Sequence, residues 1–162
     1  MDMSTGVFQI IVVGVGSCVI FDLWQRVFAI FTGIPPSNWA VVGRWLLGVL
    51  SGAGLVARDL AAQPPRPNEA AAGWALHYVV AVGYAVIYAV LMQAGLLDAG
   101  LVDGLIFGLA SVVVPWLFFM PALGNGMMAR LTPNPPLACA VAVIMHAVFG
   151  LALGGGFALL AA

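Results

Sequence analysis

Apolar residues fill four long runs of this chain, and polar residues gather in the gaps between them. The first run covers about residues 7–31 and is closed by Gly33 and Pro35-Pro36, residues that stop a helix and open a loop. The others cover about 70–96, 101–122 and 137–160. Each meets the roughly 20 residues a helix needs to cross a hydrocarbon core. A shorter apolar stretch, SNWAVVGRWLLGVL over 37–50, follows the first run. Runs of about 10–14 residues read as interfacial or re-entrant helices. Ser37 or Asn38 offers its cap, and Trp39, Arg44 and Trp45 suit the headgroup level. The connection that follows carries Arg58, Asp59, Arg66 and three prolines, then Asn68 and Glu69 as a cap and first-turn acid for the second span. Pro115 predicts a kink in the third span. The pattern predicts an all-α integral membrane protein, a four-transmembrane-helix bundle forming one membrane domain over 1–162.

Composition agrees with that reading. The chain is 64% hydrophobic and 7% charged, without lysine, whereas a soluble surface draws on about a quarter charged residues. With a net charge of −1 and no basic stripe, nothing invites nucleic acid. Cys18 and Cys139 both lie in apolar runs and make no CxxC pair, so they read as packing residues. The first run has no basic flank and is too long for a signal peptide's core, which predicts a retained helix. Arg44, Arg58 and Arg66 fall in the first connection and Arg130 in the third, while the second has no arginine. The positive-inside rule then predicts cytoplasmic first and third connections and two outward-facing termini.

Small and polar residues recur at helical spacing within the spans. Gly14, Cys18, Asp22, Gln25 and Arg26 mark the first; Gly73, His77, Ala81, Tyr84 and Tyr88 the second. Gly104, Gly108, Ser111 and Pro115 mark the third; Cys139, His146, Gly150 and Gly154 the fourth. Such stripes let membrane helices approach closely, and they predict the seam of the bundle. At about 1.5 Å per residue, Asp22 and His146 come roughly 13 Å from the arginine-rich side, and Arg26 and His77 near 7 Å. Asp22 and Arg26 are an i,i+4 pair in the favourable acid-first order. Ionisable residues within spans mark functional sites by default, although a structural salt bridge, a snorkelling arginine and hydrogen-bonded histidines are the plain alternatives.

No HExxH, GxSxG or paired carboxylates occur, so the chain predicts no catalytic residues and reads as a non-enzyme. The loop LGNGMMARLTPNPP is glycine-rich but lacks GxxxxGK[ST], so no phosphate site is expected. The segments DLW (22–24), GIPPSNWAVVGRW (33–45), GWALHY (73–78), PALGNG (121–126), TPNP (132–135) and HAVFG (146–150) together resemble a family of small bacterial inner-membrane proteins known as a domain of unknown function. The resemblance implies four membrane helices, with Asp22, Arg44, His77 and His146 as shared features, and no activity. This chain departs from the family pattern at Met120 and at Ala129-Arg130-Leu131.

The leading expectation is a transport-type or channel-type protein for a small molecule or ion. Asp22, Arg26, His77 and His146 would form its ligand, ion or proton site, with Gln25, Arg44, Ser111, Pro115 and Tyr84 in support. Pro115 would free backbone carbonyls for ion coordination. Two other readings stand beside it: a bundle holding a haem or chlorin through His77 and His146, and an accessory subunit of a larger membrane complex. The expected partners are the lipid bilayer and further copies or a larger complex; a metal ligand set is left open. The expected location is the bacterial inner membrane.

Overall fold

The computed structural model describes residues 3–161 and is all-helical. Helix α1 (Met3–Thr32) is followed by α2 (Trp39–Leu50), α3 (Glu69–Gln93) and α4 (Leu101–Ser111). A wide turn over Pro115–Phe119 continues α4 into the short α5 (Met120–Ala122), and α6 (Pro135–Ala161) closes the order. Four stretches are long and apolar enough to cross a membrane: Gly6–Thr32, Glu69–Gln93, Leu101–Ala122 and Pro135–Ala161. Lipid offers no hydrogen bonds, so a spanning segment must satisfy its backbone internally, as these helices do. The chain is a multi-pass membrane protein. The helix after the first span, α2, is the short apolar one expected, and Asn38 caps it by accepting from Ala40 N at 3.1 Å.

The kink expected at Pro115 takes the form of a π turn. Proline has no N–H to give the carbonyl four residues back, and Met120 N instead reaches five residues back to Pro115 O. The second span ends earlier than its hydropathy suggests. Helix α3 stops at Gln93, and Gly95 turns the chain at φ +69°.

The fold divides into two compact units. The first comprises the chain up to Pro36, Tyr78–Ser111 and the chain from Ile144. Its core holds Val13, Cys18, Ala85, Tyr88, Phe107, Phe149, Leu153 and Phe157. Tyr88 is fully buried, stacked on Phe157 with ring centroids 5.4 Å apart and meeting Phe107 edge-on at 5.2 Å. Its hydroxyl donates to Asp98 O at 2.7 Å, so the polar tip is satisfied at the turn before α4. Helices α4 and α6 touch backbone to backbone. A Cβ on Gly104 would come 2.9 Å from Gly154 Cα, and one on Gly150 would come 2.6 Å from Gly108 Cα.

The second unit comprises Ser37–His77 and Val112–Val143. Its core is small: Trp45, Leu60 and Ala122, with Val41, Leu76, Phe119 and Leu123 packed around them. Trp45 meets Phe118 and Phe119 edge-on and donates its indole N–H to Leu55 O at 2.8 Å. Here α2 crosses the start of α3 on another glycine pair. A Cβ on Gly43 would run 2.6 Å from Gly73 N and into the Glu69 carbonyl.

Candidate functional site

In the first unit, polar side chains meet on the inner faces of α1 and α3. Asp22 is half-buried and its carboxylate accepts from Tyr78 Oη at 3.2 Å and from Gln25 Nε2 at 3.5 Å. Gln25, on the same face three residues on, is buried, only 4% exposed. Cys18 Sγ, one turn back, lies within 4.8 Å of an Asp22 carboxylate oxygen. A soft and a hard donor thus sit together, and a metal ion is one ligand that pair can share. Arg26 differs from the sequence expectation. It is exposed, and among the described residues no ion pair joins it to Asp22. Its long side chain can carry the guanidinium toward the helix end, whereas the Tyr78 hydroxyl reaches Asp22 from a rigid ring.

A second polar pair of that unit is made by the α4–α6 crossing. The glycines bring the backbones so close that Ser111 Oγ reaches His146 Nδ1 at 2.8 Å. Ser111 Oγ also lies 2.7 Å from Gly108 O, which can only accept. With the hydroxyl proton on that carbonyl, His146 carries its proton on Nδ1 and keeps an Nε2 lone pair. Tyr84 stands edge-on to His146 with centroids 6.1 Å apart, and edge-on to Phe107 and Phe149 as well.

The second unit contains an ion pair. Arg44 makes a two-pronged contact with Glu69, Nε to Oε2 at 2.8 Å and Nη2 to Oε1 at 2.9 Å. Its Nη1 donates to Leu60 O at 3.0 Å and Gln63 O at 2.6 Å. Glu69 Oε2 also accepts from Arg66 N at 2.8 Å, and Arg66 Nη1 reaches Leu47 O and Ser51 Oγ, both at 3.3 Å. Hydrogen bonding to the Glu69 carboxylate, set against some desolvation, raises the Arg44 pKa above its ordinary value. The arrangement is a clasp: one guanidinium, held permanently charged, ties the 60–63 loop and the first turn of α3 to α2.

His77 also belongs to this unit. Its ring stacks on Trp39 with centroids 3.8 Å apart and stands edge-on to Trp74 at 5.8 Å. Pro115 opens the π turn and is half-buried. Of the residues singled out from sequence, Asp22 meets Gln25, and Ser111 and Tyr84 meet His146, all in the first unit. Arg44, His77 and Pro115 lie in the second.

Two participants were missed by sequence reasoning. Glu69 reads from the sequence as a first-turn acid, and only folding brings it to an arginine 25 residues earlier. Tyr78 carries no signal beyond its place one residue after His77. The Gly43 and Gly73 pair was the available clue to the clasp, since close-packed glycines predict which neighbouring side chains meet.

The chain belongs to the family described as protein of unknown function (DUF2938), whose model matches residues 11–159. No curated protein and no solved structure matches it.

Proposed function

We propose that the chain is a small transport-type or channel-type protein whose polar centre, around Asp22 and His146, handles protons or small cations. The observation that carries this reading is Asp22 itself. It lies ten residues inside the end of a span at Thr32, about 15 Å along the helix, with neutral donors from Tyr78 and Gln25. An ionisable side chain kept at such depth in a span marks a functional site by default. His146, with its Nδ1 engaged by Ser111, adds a second group able to exchange protons. Four spans supply few walls for a pathway, so we take the working form to be an oligomer. The arginine-rich connections face the cytoplasm in this reading, following the positive-inside rule.

Liposomes carrying the purified protein and a trapped pH-sensitive dye test the idea. A pH jump should collapse faster than in empty liposomes, with or without sodium or potassium outside. Asp22→Asn should bring the rate back to the empty-liposome value while keeping the wild-type elution profile. Equal rates for wild type and Asp22→Asn overturn the proposal and put an accessory-subunit role ahead.

A further inference from the structure

The second unit contains the same four-residue pattern twice: two apolar residues, an alanine and an arginine, as Leu55-Val56-Ala57-Arg58 and Met127-Met128-Ala129-Arg130. Both copies lie in connections rather than spans, and both turn the alanine inward. The alanine is the inward residue: Ala129 is 1% exposed, and Ala57 packs against the Trp45 core. The residues before it point out, Leu55 at 55%, Val56 at 64% and Met127 at 51% exposed, joined by Leu131 at 70%. Arg58 and Arg130 are exposed too, and among the described residues neither guanidinium meets an acceptor.

The two copies form one surface. Ala57 N donates to Ala122 O at 2.8 Å, and a Cβ on Gly124 would lie 2.8 Å from Ala57 O, so the 51–63 connection is stitched to the 121–134 loop; within that loop Leu131 N donates to Asn125 O at 2.9 Å. Apolar side chains in a water-facing loop are an unfavourable arrangement unless something covers them. These loops join the ends of membrane spans, so the available cover is the headgroup and upper acyl layer of the bilayer. The charge selects which headgroup. This unit carries four arginines against two carboxylates, net +2, although the whole chain is −1. Arg44 is taken by Glu69 and Arg66 by Leu47 O and Ser51, which leaves Arg58, beside the exposed Asp59, and Arg130 facing outward.

We infer that the two stitched loops are an anionic-phospholipid surface: Arg58 and Arg130 hold lipid phosphates while Leu55, Val56, Met127 and Leu131 enter the acyl boundary. Arginine suits this task because its planar fork matches phosphate oxygens in pairs.

The test uses the full chain in a neutral detergent and follows melting by intrinsic tryptophan fluorescence. Phosphatidylglycerol should raise the melting temperature by several degrees, phosphatidylcholine of the same chains by less than half as much, and inorganic phosphate not at all. About 0.5 M sodium chloride should shrink the phosphatidylglycerol shift, because headgroup charge is screened at that strength. Arg58→Gln with Arg130→Gln should keep the lipid-free melting temperature and lose more than half the shift. Arg26→Gln, outside this surface, should keep all of it. Equal shifts from the two lipids, or a full shift in the double variant, overturn the inference. So does an equal loss in Arg26→Gln, since net charge alone would then explain the effect. Should the double variant fail to fold, Leu55→Ser with Leu131→Ser is read the same way, beside the wild-type lipid comparison.

Discussion

Both units use one device, facing glycines that let helix backbones touch, and they hold opposite kinds of polar pair beside it. In the first unit Gly104, Gly108, Gly150 and Gly154 bring α4 onto α6, and the pair beside them is Ser111 with His146. In the second, Gly43 and Gly73 bring α2 onto α3, and the pair is Arg44 with Glu69. The difference follows from what else is within reach. Ser111 and His146 lie inside spans, where the surroundings are side chains and helix backbone already bonded to itself. A neutral pair that satisfies itself suits such a place. Arg44 and Glu69 meet where α3 begins, beside a loop whose carbonyls and amide are free to join. Leu60 O, Gln63 O and Arg66 N complete the shell around the two charges. A buried ion pair is tolerable when its remaining lone pairs and protons are bonded, and the clasp meets that condition.

Breaking the crossings themselves should have the largest effect. A Cβ on Gly73 would sit 2.6 Å from the Trp39 carbonyl carbon, and one on Gly150 2.6 Å from Gly108 Cα. Both obstacles are backbone, which cannot rotate away. Gly73→Leu and Gly150→Leu should each cost more than the usual overpacking range of about 1–3 kcal/mol. Gel filtration should show lost monodisperse protein; a normal yield of either variant would mean the backbones do not touch.

Next comes the clasp. Arg44→Gln strands Glu69 and releases the 60–63 loop, so melting temperature in detergent should fall sharply and proteolysis between Arg58 and Arg66 should quicken. Arg44→Lys should rescue little, because an ammonium cannot make the two-pronged contact and reach both carbonyls. Combining Arg44→Gln with Glu69→Gln should recover part of the loss. A double variant as poor as the single one would place the clasp's value in the loop carbonyls rather than the charge pair.

The neutral pair should matter less. Ser111→Ala removes one hydrogen bond between helices, a contact averaging about 0.6 kcal/mol in membranes and reaching about 1.7. Melting of Ser111→Ala should therefore lie between wild type and Arg44→Gln; a larger fall than Arg44→Gln would reverse the comparison drawn above. The smallest effect belongs to Arg26→Gln. An exposed side chain with no ion pair to Asp22 should shift stability by no more than about 0.5 kcal/mol. A large loss there would restore the Asp22–Arg26 pair that sequence spacing suggests.

The sequence by itself determined the class of molecule and its elements. Four apolar runs of spanning length, the short helix after the first and the break at Pro115 are local properties, set by hydropathy, proline chemistry and length. Glycine spacing also marked the α4–α6 seam, because GLIFG and GLALG are periodic within one helix. Partnership was decided elsewhere. Asp22 and Arg26 are neighbours by spacing, yet Asp22 accepts from Tyr78, 56 residues away, and Arg26 faces out. Arg44 looked like an interfacial arginine and became the centre of the clasp through Glu69, Leu60 and Gln63. Helical periodicity states which face a side chain occupies, and it is silent about which residue of another helix comes opposite. That register is set by where two backbones can come close enough to touch, and here the glycines of both crossings settled it.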